Sequence, residues 1–475
     1  MQKIWNNRNY VFRVVLYLLV IVIFASIIFD YVEYMDVAKS TVPIMDFWEW
    51  IYVYGQGVLD GSVTFADYFN SDAGQHIQPL CMAINFGMLK TFDFDVVPLV
   101  TGGMILRFLM TALLILLFLY RFRDVKDFDC LVQLLCVVSM CMAMLNYNQW
   151  EITAEPFSLA FAFRIANYLL TFYFADVFLK GLDTRSLKAS LIQATLLGLY
   201  CAVLTICVGA AYFVGHLVAI GLAFLWTLIC QRQKWRRYIW PMMVWCVISF
   251  AAACVYYALV SGRANSDVPS TGLVEYLLLI LQGVAYFWGS MFVHSNVVDI
   301  YGISLVAILG TLMLAYTLYI SVRFLRLHAD GSGMFPMMCV IYALIISVVV
   351  SYGRVTSFGT QVMTSSRYVV ESVIGLVGAI WMSYDVYVHQ KKKSITWIKP
   401  VAVCLLTIMF MMSVTKSETR TAPYRKISFD NMKEIMINID DYSDDELGIF
   451  QANSPVFVRY CVEFFEENDL SIFGE

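Results

Sequence analysis

The sequence predicts an all-α integral membrane protein with about 11 transmembrane helices, in-plane helices in an outer loop and one re-entrant segment. Hydrophobic residues make up 60% of the chain and charged residues only 14%, whereas roughly 25% charged residues is typical of soluble proteins. The mean hydropathy is +0.71. Apolar runs recur at the length of roughly 20 residues that a helix needs to cross a bilayer. These three observations exclude an ordinary soluble domain.

The first apolar run, 11–29, is predicted to be a retained signal-anchor helix. The sequence Asp30-Tyr31-Val32-Glu33 follows it, and this is not the small-residue pattern of a signal-peptide cleavage site. The predicted spans are 11–29, 95–120, 129–145, 158–179, 190–207, 211–230, 239–260, 300–322, 335–351, 368–388 and 396–414.

Basic residues set the predicted orientation, because cytoplasmic loops are enriched in Lys and Arg. With 11 spans, six basic clusters all fall on the cytoplasmic side. These clusters precede the first span or follow the second, fourth, sixth, eighth and tenth, and include Arg121, Lys180, Arg236, Arg323 and Lys391. The N-terminus is then cytoplasmic and the C-terminal tail extracytoplasmic.

Two apolar segments are left out of the count. Segment 77–89 is short, and 273–292 would place Arg323 and Arg326 outside if it crossed. The second segment also contains Gln282 and Gly283, which suits a re-entrant or in-plane helix, because non-spanning backbone is tolerated at membrane depth where protein surrounds it.

The predicted domain organisation is a transmembrane domain over 1–415, with a long outer loop at 30–94, and a small extracytoplasmic tail over 416–475. Ser454-Pro455 precedes an amphipathic run in the tail. Ser at the N-cap and Pro in the first turn predict a helix start there.

The outer loop carries the first candidate catalytic residue, Asp46, ahead of a predicted aromatic in-plane helix that contains Trp48. Asp46 can act as a general base toward a sugar hydroxyl, and the aromatic residues of 47–54 can form a platform for sugar rings. An alternative is that Asp46 is only a helix N-cap. Asp30, Glu33 and Asp36 compete for the role of base. Further along, Asp72, Gln75 and His76 are candidate substrate ligands, with a plain capping turn as the alternative.

A second outer loop, between the ninth and tenth spans, contains Arg354, Arg367 and Tyr368. Arginine makes planar, bidentate contacts to phosphate, which predicts a site for a phosphate group. The alternative is that both arginines pair with outer acids such as Glu371 or Asp46.

The remaining candidates surround the fourth span. Glu151 and Glu155 lie in the loop before it and suit sugar binding, although a solvated loop would look the same. Arg164 lies within its outer part, and buried charges in membranes are commonly functional or paired. Arg107 in the second span is expected to be structural. His216 and His294 are isolated in the sequence, and the 12 cysteines lie singly, mostly in apolar runs, so no metal site is predicted.

Several stretches resemble known membrane proteins. Gly353-Arg354, Ser366-Arg367-Tyr368 and Leu470-Ser471-Ile472-Phe473 resemble bacterial members of the GT-C class of polytopic glycosyltransferases. In that class an acidic residue of the first outer loop acts at the acceptor, which corresponds to Asp46. The sequence departs from the Asn-Glu-His-Arg motif of these proteins, because Gly74-Gln75-His76-Ile77 stands in its place. The topology is also similar to that of the O-antigen glucosyltransferases.

The resemblance implies an inverting transfer from an undecaprenyl-phosphate sugar to a lipid-linked or surface polysaccharide at the outer face of a bacterial inner membrane. Arg354 and Arg367 would hold the lipid phosphate with help from Tyr368, and no metal or other cofactor would be needed. Membrane lipids, a flippase and a donor-synthesising synthase are the implied partners, and nothing indicates nucleic-acid binding. A polysaccharide polymerase and a lipid-linked sugar flippase or transporter are the alternatives.

Overall fold

The computed structural model describes residues 2–69, 77–124, 128–261, 272–294, 302–329, 331–390 and 397–474. Within these ranges the chain consists of helices joined by turns and short irregular segments, with no β-strand. Twelve helices are long and apolar enough to cross a membrane. The prediction of an all-α polytopic membrane protein is therefore confirmed.

Sixteen α-helices are numbered here in chain order over the described residues. Their bounds are α1 Gln2–Ala38, α2 Asp46–Asp60, α3 Pro79–Thr91, α4 Val97–Arg121, α5 Phe128–Met144, α6 Trp150–Thr153, α7 Ser158–Gly181, α8 Leu187–Cys207, α9 Phe213–Cys230, α10 Trp235–Val260, α11 Leu273–Gly289, α12 Ile303–Leu327, α13 Phe335–Phe358, α14 Val369–His389, α15 Ile398–Ile437 and α16 Pro455–Glu467. Eleven of the twelve candidate spans correspond to the predicted spans, and the twelfth, Leu273–Phe292, is the segment predicted to be re-entrant.

One end of the bundle, here the basic end, carries basic clusters from several turns. Arg121 at the end of α4 lies 3.8 Å from Asp385 near the end of α14. Lys234 before α10 pairs with Asp183 at 2.8 Å, and Arg323 near the end of α12 donates to Gln390. These groups therefore share one end, as the positive-inside pattern requires. Which side of a membrane this end faces stays a prediction.

Helix α11 begins and ends at the opposite end, here the cap end. At its start, Tyr276 donates a hydrogen bond to the backbone oxygen of Tyr352, late in α13. Just after it ends, the backbone oxygen of Ser290 accepts from Asn148, which follows α5. In chain order α11 follows the cap-end terminus of α10 and precedes that of α12, since Lys234 before α10 and Arg323 near the end of α12 lie at the basic end. These contacts support a segment that does not cross, although its length alone would allow a span.

The cap end is covered by α2 and by the C-terminal residues 439–473, which pack on one another. Trp48 of α2 lies between Phe450 and Phe465, with ring centroids 5.2 and 6.3 Å away. The backbone of Met45 also donates to Phe450 at 3.0 Å. The predicted helix start in the tail is confirmed, because Ser454 accepts a hydrogen bond from the backbone of Val456.

Three helices extend beyond the apolar runs that predicted them. Helix α13 continues to Phe358, so residues 352–357 are helical rather than a loop, and Gly359, with φ of +75°, follows its last residue. Helix α15 continues to Ile437, well past residue 414, and α1 continues to Ala38. Hydropathy marks the membrane-embedded part of a helix but not its end, which explains why the predicted bounds were short.

The placement of α11 can be tested by labelling single cysteines with a membrane-impermeant maleimide in a background lacking the exposed Cys246 and Cys254. We expect Leu273→Cys and Ser304→Cys to react from the same side, the outside of intact cells. Asp183→Cys at the basic end should react only after the membrane is opened. Labelling of the first two from opposite sides would mean that α11 crosses.

Candidate functional site

Residues 146–155 form a buried, non-spanning segment between α5 and α7 at the cap end. Asn146 donates to the backbone oxygen of Met291 at 2.9 Å, and Asn148 donates to that of Ser290 at 2.6 Å. From α4, Arg107 donates to the Gln149 side chain at 2.7 Å and to the Ile152 backbone at 3.1 Å. The segment is therefore fixed by neighbouring elements and is not a solvated loop, and Arg107 has the structural role expected for it.

Glu151 holds the turn that contains Arg367. One carboxylate oxygen accepts from the hydroxyls of Ser365 at 2.7 Å and Ser366 at 2.6 Å, and from the Arg367 backbone at 2.9 Å. The other oxygen lies 3.2 Å from the Arg367 guanidinium, whose side chain is 43% exposed. Arg367 is thus paired with an acid, but neither with Glu371 nor with Asp46, and part of it faces outward.

Asp46 directly follows Met45, which contacts this turn. It is the first residue of α2 and is exposed, and its side chain forms no hydrogen bond within the described ranges. Met45 occupies the N-cap position with φ of +54°, so the alternative in which Asp46 is the N-cap is wrong. A terminal nitrogen of Arg367 lies 4.0 Å from the sulfur of Met45. The segment that contains Met45 and the Ser-Arg-Tyr turn therefore meet at the cap end.

Arg354 is half-buried late in α13, with its guanidinium 5.5 Å from the ring of Phe358. Among the described residues it has no carboxylate partner, so the alternative of a pair with Glu371 is not observed. Tyr212 interacts electrostatically with both Arg354 and Tyr368. Tyr368 itself is buried, at 4% exposure.

Arg164 lies deeper, in a buried ion pair. Its guanidinium is 2.6 Å from Glu371, with side-chain exposures of 4% and 0%, and Tyr342 donates to the same carboxylate. It also lies 3.8 Å from the ring centroid of Tyr212. The prediction that Arg164 contacts substrate does not fit this position, because its charge is already paired beneath Tyr212.

Trp48 also has a packing role rather than the predicted role as a sugar platform. Its side chain is fully buried in the aromatic core that joins α2 to the tail. Composition alone could not separate an interfacial aromatic residue from a buried one. The predicted ligands Asp72, Gln75 and His76 lie outside the described residues.

Glu155, the last residue of the segment 146–155, is a buried acid. Its side chain is 1% exposed, and its Oε1 atom has no hydrogen-bond partner in the described structure. Burial raises the pKa of Glu155 well above 4.5, the nearby Glu151 charge raises it further, and Arg367 and Arg425 partly oppose this. The arrangement therefore favours a protonated carboxyl.

Sequence reasoning missed two clusters. Glu418 of α15 bonds to His294, Arg425 and Tyr34, and Arg425 lies 4.1 Å from the ring centroid of Trp150, so the view of His294 as isolated is wrong. Glu418 and Arg425 are seven residues, or two helical turns, apart. This spacing was the sequence pattern that could have indicated their pairing. The second cluster joins His328, Asp385 and His389 at the basic end, where no metal-ligand spacing had been recognised.

Comparison with models of protein families, with curated proteins and with solved structures finds no match to this chain.

The protonation of Glu155 gives a testable pH dependence. Its raised pKa means that the folded protein keeps a proton that the unfolded chain releases above about pH 4.5. The unfolding free energy should therefore fall as pH rises from that value toward the folded-state pKa, by at most about 1.4 kcal/mol per pH unit. In thermal unfolding of the purified protein, Glu155→Gln should lose this part of the slope.

Glu467→Gln, at an exposed position, is the matched control and should keep the wild-type slope. Equal slopes for wild type and Glu155→Gln would show that Glu155 ionises as readily as an exposed carboxyl.

Proposed function

We propose that the protein is a membrane glycosyltransferase that moves a sugar from an undecaprenyl-phosphate donor to a lipid-linked or surface polysaccharide at the cap end. The observation that carries this proposal is the meeting of two outer segments. Asp46 follows Met45, which Arg367 contacts, and Glu151 fixes the turn that holds Arg367. An exposed carboxylate with no side-chain partner among the described residues thus follows directly the residue that a partly exposed arginine contacts.

Arg354 and Arg367 provide the donor-phosphate contacts. A guanidinium forms charge-assisted, often bidentate hydrogen bonds to phosphate. Glu151 orients Arg367 but offsets part of its charge, whereas Arg354 is free of any described acid and supplies a full positive charge. As the sugar–phosphate bond breaks, negative charge grows on the leaving phosphate, and fixed cations at that position stabilise the transition state.

Asp46 acts at the acceptor. In the proposed step the acceptor hydroxyl oxygen attacks the anomeric carbon as the bond from this carbon to the phosphate oxygen breaks. The bonding electrons leave with the lipid phosphate, and the hydroxyl proton passes to the Asp46 carboxylate. Attack opposite the leaving group inverts the anomeric configuration. An exposed aspartate whose side chain forms no hydrogen bond to the described residues is available for this transfer.

A lipid-linked sugar transporter is the second candidate, favoured by buried charges such as Arg164 and Glu371. Charges within transmembrane bundles commonly mark transport pathways. These two, however, are paired with one another, whereas Asp46 and Arg354, which have no ion-pair partner among the described residues, lie at the cap end. Purified protein that forms a glycosidic product without a second enzyme would favour the transferase. Transbilayer movement of the donor without a product would favour the transporter.

The role of Asp46 can be tested with Asp46→Asn, which preserves size and removes basicity. Loss of a general base typically lowers turnover roughly 10²- to 10⁴-fold, and we expect such a fall in sugar transfer with donor binding unchanged. Asp36→Asn is the control, since Asp36 is a 67% exposed competitor for this role, and it should retain turnover. Wild-type turnover by Asp46→Asn would remove Asp46 from catalysis.

The donor site is tested most cleanly at Arg354, because Arg367→Ala would also leave the Glu151 carboxylate without its guanidinium partner. Losing a charge-assisted contact costs about 1.5–3 kcal/mol, so Arg354→Ala should weaken donor binding roughly 10- to 150-fold. Arg420→Ala, an exposed position toward the cap end of α15, serves as the control. Unchanged donor affinity in Arg354→Ala would contradict the assignment.

A further inference from the structure

Three potential metal ligands converge at the basic end of the bundle. Asp385 and His389 are one helical turn apart near the end of α14, and His328 directly follows α12. One ligand atom from each of the three lies within 4.8 Å of the other two. The cluster lies at the opposite end from the proposed catalytic site, so it is independent of the proposed function.

The distances are close to those of a coordination sphere. Oδ1 of Asp385 is 3.0 Å from Nε2 of His328 and 2.8 Å from Nδ1 of His389. Metal–ligand bonds of roughly 2.0–2.2 Å to nitrogen and oxygen place neighbouring ligand atoms about 3–3.5 Å apart. Movements of the side chains alone, without backbone rearrangement, would therefore admit an ion.

Burial and hydrogen bonding also indicate a ligand. The side chains of His328 and Asp385 are 7% and 1% exposed, whereas that of His389 is 50% exposed and leaves a route to solvent. Oδ2 of Asp385 is buried and has no hydrogen-bond partner in the part of the chain that the structure describes, since the Arg121 guanidinium, 3.8 Å from this oxygen, is beyond hydrogen-bond distance. A buried carboxylate oxygen without a donor is costly, and a bound cation would relieve that cost.

The surroundings hold His328 in place. Its ring centroid is 4.3 Å from that of Phe324, and its backbone oxygen accepts from the Trp226 indole at 3.3 Å. Gly333, in the turn before α13, has φ of +71°, and a Cβ there would lie 2.4 Å from the Arg121 guanidinium. The positive φ strains any L side chain at this position, and a Cβ would have to displace the guanidinium, so the turn packs closely against Arg121. Metal sites generally depend on supporting contacts of this kind.

We propose that His328, Asp385 and His389 bind a divalent transition-metal ion of the zinc type. Two imidazoles and one carboxylate suit such ions, and three protein ligands leave at least one coordination position for water or another ligand. The ion would tie the end of α12 to the end of α14. Arg121, 3.8 Å from the Asp385 carboxylate, opposes binding through its positive charge and moderates the affinity.

The test uses the full-length protein in detergent with any affinity tag removed. Co²⁺ is titrated as a spectroscopic probe, and Zn²⁺ is then added as competitor. We expect one ion per chain for the wild type. His328→Gln and His389→Gln should each weaken binding by more than the roughly 10- to 100-fold that losing an outer-shell partner costs. Arg121→Gln should bind Co²⁺ more tightly, because a repelling charge is removed.

Asp183→Asn is the matched control, because Asp183 is a half-exposed acid at the same end, and it should bind like the wild type. His389→Gln changes a half-exposed side chain, so we expect this variant to fold like the wild type. Size-exclusion chromatography can verify its folding. Absence of stoichiometric Co²⁺ binding by the wild type would overturn the proposal. Equal affinity in the wild type and both histidine variants would also overturn it, by showing that the three residues form only a hydrogen-bonded cluster.

Discussion

The packing of the cap end depends on the polar contacts of residues 146–155. Polar groups removed from water must find protein partners, since each unpaired group costs free energy. Asn146 and Asn148 pair with the end of α11, Gln149 with Arg107 of α4, and Glu151 with the turn before α14. Three elements distant in sequence are thereby fixed around one short segment, and the proposed donor site is built on this arrangement.

The charged side chains at this end differ in what they can do. Arg164 and Glu371 satisfy one another in the interior, and Glu418 is surrounded by His294, Arg425 and Tyr34. Such groups stabilise the arrangement but have little capacity left for a ligand. Asp46 and Arg354, in contrast, lack ion-pair partners among the described residues. Catalysis at the cap end would therefore draw on these two, with Arg367 oriented by Glu151.

Hydropathy predicted the positions of the eleven spans because burial in a membrane depends on local composition. The helix at Asp46 and the helix start at Ser454 were likewise predictable from local patterns. The contacts of the site were harder to predict from the sequence, since Glu151 and Arg367 are separated by 216 residues and His294 and Glu418 by 124. Trp48 was misassigned because an aromatic residue at an interface and one inside the cap have the same local sequence signature.

The central claim is that a lipid phosphate binds at the cap end between the Arg354 and Arg367 regions. Photo-crosslinking tests this most directly, using a polyprenyl phosphate that carries a photoreactive group beside the phosphate, followed by peptide mapping. The account predicts labels in peptides containing residues 150–155 and 354–368, lost on competition with unlabelled polyprenyl phosphate. Competable labelling confined to the basic end, around residues 232–240, would contradict it.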